Sequence, residues 1–315
     1  MQLLMLGEAE VQGLLDPIGL LDALAESFKA LSENLVVAPK RSEVTVPEKG
    51  FLLTMPAYQR DHEITVKLVS IFHGNEELGL PSHQALICLF DAQTGLLCAI
   101  MDGTSITALR TAGAAALSTR LLARPESSVL AIVGAGVQGR AHLKLLPLVR
   151  AFSEIRIASH SFANAERLAA IDIRARAFAS VEEAVDGADV ICLCTSASKP
   201  VLKLAWLAPG AHVTSVGYRP PGGELDSQII ERSRLFVETR LAFEPAPAGC
   251  AELAGFAAGF GTELGELLLG QRPGRQGQHE LTLYKAMGHA CEDMAAASLV
   301  YQRARQEGAG RVVEL

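Results

Sequence analysis

The stretch VLAIVGAGVQGRAHL, Val129 to Leu143, constrains the fold more than any other part of this 315-residue chain. An apolar, strand-type run leads straight into Gly134, Gly136 and Gly139 at G-x-G-x-x-G spacing, and a helix-forming sequence follows. In such a turn the first glycine permits the tight bend and the second lets backbone approach a pyrophosphate. The third lets helix pack on strand, and the helix N-terminus then faces the phosphates. Gly134, Ala135, Gly136, Val137, Gln138 and Gly139 are therefore candidate dinucleotide contacts, Gln138 through its backbone.

Downstream the pattern alternates: strands at 129–133, 154–159, 189–194, 211–216 and 234–238, with helices at 137–150, 163–170, 180–186 and 226–233. Alternation of this kind predicts a doubly wound parallel α/β sheet of Rossmann type. Thr195, Val216 and Gly217 follow two of these strands and are further candidate cofactor contacts. The second strand ends in Ser159, His160 and Ser161, where an NAD-preferring site carries a carboxylate for the ribose 2′-hydroxyl. Hydroxyl donors and an imidazole suit a 2′-phosphate better, so NADP(H) is favoured, with NAD(H) an open alternative.

The glycine turn comes late, and 128 residues precede it. Residues 8–32 place Leu14, Leu15, Ile18, Leu21, Leu24, Phe28 and Leu31 at helical spacing, which predicts one amphipathic helix. Residues 43–101 are short apolar runs broken by turns, a β layer with a hairpin at DAQTG. SITALRTAGAAALSTRLLAR returns to helix, with Ser105 or Thr107 as its cap. The final segment from TLYK to QRARQ is Ala-rich and reads as helical throughout.

Composition limits the partners. The chain is 49% hydrophobic and 20% charged, with net charge −7, a balance that suits a well-packed soluble enzyme and disfavours nucleic acid. Its six cysteines form no CxxC pair and no Cys/His metal spacing, so no metal is expected and a reducing compartment fits. The opening MQLLMLGEAEVQ lacks a basic leader region, and no run is long and apolar enough to span a membrane. The expected location is cytoplasmic.

Three basic residues sit in apolar settings upstream. Lys67 lies inside ITVKLVSIF, Arg110 inside TALRTAGAAAL, and Arg41 after VVAPK. A lysine in a strand run is desolvated, and its shifted pKa would suit an acid or charge stabiliser beside a reacting imine. Paired guanidinium groups suit bidentate capture of a carboxylate. Each could equally be a surface charge. His73, His83 and His142 are read as structural, with His83 closest to the substrate side. Asp102 and Asp293 are read as orienting helix ends or partners rather than doing chemistry.

With these residues the chain resembles the ornithine cyclodeaminase/mu-crystallin family, and within it the mu-crystallin-like ketimine reductases. MPAY (55–58), VKLVS (66–70), the run from Leu80 to Ala112, VGAGVQ (133–138), GADVI (187–191), PGAHV (209–213), GELD (223–226) and TLYKAMGHACEDMAAASLVY (282–301) carry the resemblance. It implies a homodimer in which 1–120 and 285–315 form an α+β substrate and dimerisation domain. The dinucleotide domain, 121–284, is inserted between them. It further implies Lys67 as the catalytic lysine, Arg41 and Arg110 as carboxylate ligands, and Thr111 near the cofactor.

Two departures bear on the reaction. Ornithine cyclodeaminases carry an aspartate just before a PGK-x-EL stretch, whereas here SVGYRPPGGELD offers no acid before Glu224. The acid after the second strand is missing as well. The expected activity is NAD(P)H-dependent reduction of imines of 2-oxo acids, such as 1-pyrroline-2-carboxylate or 1-piperideine-2-carboxylate. Alternatives are an ornithine cyclodeaminase, an alanine dehydrogenase, or a weakly catalytic NADP-dependent small-molecule binder.

Overall fold

A computed structural model describes residues 2–314, the side chains of His73 and Glu76 excepted. It divides into two compact units, Met1–Arg110 with His289–Leu315, and Thr111–Gly288. The first division falls inside an unbroken helix, Gly103–Leu122.

The chain begins with β1 (Gln2–Leu6), α1 (Glu8–Leu14) and α2 (Pro17–Ser32). The single helix read over 8–32 is thus two. Pro17 starts the second at N1, and Asp16 caps it by accepting the Gly19 amide at 2.6 Å. β2 (Val36–Val37), β3 (Ser42–Val46), β4 (Gly50–Gln59), β5 (Ile64–Ile71), β6 (His83–Phe90) and β7 (Leu97–Asp102) follow. The β6–β7 hairpin turns where Asp91 Oδ1 accepts the Gln93 and Thr94 amides. α3 (Gly103–Leu122) follows β7 directly, and its cap is Asp102, which accepts the Thr104 and Ser105 amides at 3.1 and 2.8 Å. Neither Ser105 nor Thr107 serves as the cap, because the strand's last residue already does.

The inserted unit contains β8 (Val129–Val133), α4 (Val137–Leu145), β9 (Glu154–Ala158), α5 (Phe162–Ala169), β10 (Ala175–Phe178), α6 (Val181–Val185), β11 (Val190–Leu193), β12 (His212–Ser215), α7 (Ser227–Arg232), β13 (Arg234–Val237), β14 (Gly261–Glu263), α8 (Leu264–Leu268) and β15 (Thr282–Lys285). The strands form one parallel sheet in the order β10-β9-β8-β11-β12-β15-β13-β14. The chain leaves β8 towards β9 and β10, then returns to the other side with β11, which makes a topological switch point. β11, β12 and β15 are buried along their whole length, as strands covered on both faces must be. The helical reading of TLYK fails here. This four-residue strand has Thr282 and Lys285 buried beside Leu283 and Tyr284, so no apolar run announces it.

The chain then completes the first unit with α9 (Ala290–Glu307) and β16 (Arg311–Glu314). His289 caps α9 in a reciprocal box: its Nδ1 accepts the Cys291 amide while Glu292 accepts the His289 amide at 2.6 Å. The first unit's sheet runs β16-β1-β7-β6-β5-β4-β2, with β3 also on β4, and α9 packs on α2 and on β4, β5 and β6. Among the described residues no helix is long and apolar enough to cross a membrane.

Candidate active site

Alternation along β5 turns Thr65, Lys67, Val69 and Ile71 to the covered face. Lys67 is therefore 2% exposed, and its Nζ lies 2.6 Å from Asp293 Oδ2 in the first turns of α9. Arg110, equally buried on α3, donates from Nε to Asp293 Oδ1 and from Nη1 to Glu292 Oε2, both at 3.1 Å. Asp293 thus bridges the lysine and the arginine, the orienting part expected of it, and Glu292 fixes the arginine's plane while closing the α9 cap.

Burial pulls the Lys67 ammonium down from 10.5 to about 8, assisted by Arg110 and opposed by Asp293 and Glu292. Burial would raise the Asp293 carboxyl, but Lys67 and Arg110 hold it below its ordinary value. His289, the N-cap of α9, lies near enough to Asp293 to feel its charge. Its pKa falls to about 4, through burial first and Arg41 next, with Asp293 opposing. Because Nδ1 accepts the Cys291 amide, its proton resides on Nε2. Arg41 is half-buried just before β3. Lys67, Arg41 and Arg110 are candidates from the sequence, whereas Glu292 and His289 are not. Both lie in GHACED, where the capping box was the available signal.

In the other unit, register aligns Ala158, Val133, Leu193, Ser215 and Lys285 in one row across the carboxyl ends of β9, β8, β11, β12 and β15. The remaining candidate residues lie just past this row, except Thr111, which is buried on α3. Gly134 adopts φ +111°, and a Cβ there would stand 2.4 Å from the Cys194 carbonyl. A Cβ on Gly139 would meet the Gly134 carbonyl at 1.9 Å. Gly136, the exposed N-cap of α4, faces open space within 4 Å. Two glycines thus close the turn and the third leaves its mouth clear, a cradle that fits a pyrophosphate at a helix N-terminus.

Val137 is exposed beside this mouth, and Ala135 and Gln138 are half-buried. Beyond β9, Ser159 and Ser161 are half-buried and His160 is exposed. His142, on α4, is fully buried with Nδ1 against the Gln138 carbonyl, a structural placement. His83 is exposed at the start of β6, and the His73 side chain lies outside the described ones. Among the described residues no cluster of three or more His, Cys, Asp or Glu could hold a metal ion.

Thr195 and Gly217 are tied to a buried acid. The Thr195 amide and hydroxyl are both bound to buried Glu224, as is the Gly217 amide. Val216, just past the row, is half-buried with its amide on the Leu193 carbonyl. Glu224, the first acid of GYRPPGGELD, is therefore turned into the sheet.

These two sites have clear relatives. The model of the ornithine cyclodeaminase/mu-crystallin family matches residues 1–308. The chain is 39% identical over 285 residues to the ketimine reductase mu-crystallin of Mus musculus, covering 89% of this chain and 90% of that protein. The Delta(1)-pyrroline-2-carboxylate reductase of Thermococcus litoralis, solved with NADH and L-proline, superposes with a TM-score of 0.92 at 31% identity, over 98% of this chain and 100% of that one. An archaeal alanine dehydrogenase dimer with bound NAD superposes with a TM-score of 0.88 at 29% identity over the whole of both chains. The chain belongs to the ornithine cyclodeaminase/mu-crystallin family and is an NAD(P)-dependent oxidoreductase.

Proposed function

We propose that this enzyme reduces cyclic imines of 2-oxo acids, 1-pyrroline-2-carboxylate and 1-piperideine-2-carboxylate, by hydride transfer to C2. The observation that carries the reading is the buried Lys67–Asp293–Arg110 constellation. Lys67 and Arg110 meet at Asp293, and Arg41 acts with them on His289, so three basic groups are gathered where one substrate carboxylate would bind. Arg110, with its plane fixed by the two acids, and Arg41 orient that carboxylate. Lys67, its pKa lowered to about 8, gives its proton to the imine nitrogen as C2 becomes tetrahedral, then regains one from solvent. Asp293 stays ionised and keeps Nζ in place. When bound, reduced nicotinamide supplies the hydride, held by the glycine turn of residues 134–139.

NADPH is the preferred donor on this reading, because Ser159, His160 and Ser161 offer hydrogen-bonding groups and no carboxylate at the ribose position. The first unit is the substrate and dimerisation domain. Its sheet leaves Val44 and Val46 of β3, Leu52 of β4 and Leu86 of β6 exposed, an apolar surface suited to a second copy. Light scattering should return twice the mass of one 33.4 kDa chain, and a monomer would refute the dimer.

The activity is tested by absorbance at 340 nm, with NADPH or NADH and either imine, beside L-ornithine with NAD assayed for ammonia and proline. Oxidation of NADPH by an imine, without ammonia from ornithine, is the expected result. Ammonia from ornithine would overturn the reading in favour of a cyclodeaminase, despite the inward orientation of Glu224.

A further inference from the structure

Charged groups do not belong in the interior of a parallel sheet without a task, yet Glu224, Glu252 and Lys285 meet beneath the carboxyl ends of β11, β12 and β15. Glu224 Oε2 accepts the Thr195 amide at 2.8 Å and its hydroxyl at 2.7 Å. Oε1 accepts the Ser215 hydroxyl at 2.9 Å and the Gly217 amide at 2.7 Å. Lys285 Nζ donates to Ser215 Oγ at 3.1 Å and to the Gly217 carbonyl at 2.8 Å, and pairs with Glu252 at 2.7 Å. The amide and the carbonyl of Gly217, one on each of its two flanking peptide units, are thus both held. A Cβ on Gly217 would stand 2.6 Å from the Glu224 carboxyl carbon, so only glycine lets the carboxylate reach.

An ion pair this deep is a poor source of stability, because desolvation offsets the attraction. What it does provide is a fixed geometry, and its place indicates for what. The ribose position is past β9 and the pyrophosphate turn past β8, so the other half of a dinucleotide extends over β11 and β12. There the first residues met are Thr195, Val216 and Gly217.

We propose that Glu224 is a positioning residue for the nicotinamide half of the cofactor, fixing the Thr195 and Gly217 backbone while Lys285, anchored by Glu252, holds the Gly217 carbonyl. The inference rests on the nicotinamide cofactor and not on the imine substrate, so a silent imine assay leaves it untouched.

The test compares NADPH with 2′-phospho-ADP-ribose, and NADH with ADP-ribose, by calorimetric or fluorescence titration of the full chain. The ADP-ribose ligands lack nicotinamide. All four groups facing Glu224 are donors, so Glu224→Gln turns an NH2 against at least one of them. The expected result is a Kd for the complete cofactors about tenfold higher, with the ADP-ribose ligands within about twofold of wild type. Ser215→Ala, which removes one donor to Glu224 and one acceptor of Lys285, serves if the glutamine variant does not fold. It should show the same split at about threefold. Equal weakening of both ligand classes, or no change in either, would overturn the proposal.

Discussion

Placing a lysine on the covered face of β5 costs desolvation free energy, and the cost is visible in its pKa of about 8. If Lys67 donates the proton, kcat/KM should fall above pH 8, roughly tenfold per pH unit, as the ammonium is lost. Stability has the opposite sign. The unfolded lysine keeps its proton to about 10.5, whereas the folded one releases it near 8, so between those values the fold gains stability as pH rises. Lys67→Met should lower kcat by about 10²–10⁴-fold while leaving NADPH affinity nearly unchanged. Wild-type turnover in that variant would remove Lys67 from the mechanism. Asp293→Asn takes away the main opposing influence on the lysine. The alkaline limb of its pH profile should therefore move to lower pH, and a limb that stays in place would mean another group titrates there.

At the scale of elements, the turn between β8 and α4 separates folding from binding within six residues. Gly136→Ala places its Cβ in open space at φ −83°, so its melting temperature should fall only by the small cost of losing a glycine N-cap. NADPH binding should nevertheless weaken at least tenfold, because the methyl occupies the pyrophosphate approach. Gly139→Ala forces its Cβ against the Gly134 carbonyl and should lower the melting temperature itself. Equal melting temperatures in the two variants would show that the turn relaxes and that the glycine spacing is not sterically enforced. This turn was legible because sterics tie residue type directly to backbone shape. The division of 8–32 was also written in the sequence, as Asp16-Pro17, but unbroken apolar spacing on either side hid it. Thr282–Lys285 was not legible, since its polar residues are satisfied by partners distant in sequence: Thr282 by His212, and Lys285 by Ser215, Gly217 and Glu252. Glu224 was hidden for the same reason. Local pattern reports which face is apolar, whereas a buried carboxylate is explained only by the four donors that the fold gathers around it.

At the scale of the whole molecule, three buried histidines among the described residues contribute to its response to acid. His142 and His212 in the inserted unit have pKa values of about 4 and about 3, and His289 in the other unit about 4, each lowered chiefly by burial. Unfolded, each binds a proton near pH 6.5, whereas in the fold each stays neutral until pH falls to 3–4. Below pH 6.5 the unfolded chain therefore holds more protons, and stability falls as pH falls. By pH 5 the loss is on the order of 2 kcal/mol for each histidine. For the inserted unit, with two of them, the melting temperature should drop by roughly 10 °C between pH 7.5 and pH 5. Calorimetry at the two pH values reads this drop. His212 lies between the Ser118 and Thr282 hydroxyls, where Gln can still hydrogen-bond but cannot titrate. His212→Gln should accordingly roughly halve the drop in that unit, whatever it does to the melting temperature at pH 7.5. A wild-type melting temperature that stays level from pH 7.5 to pH 5 would mean that water reaches these rings in the folded state, and that burial is not what keeps them neutral.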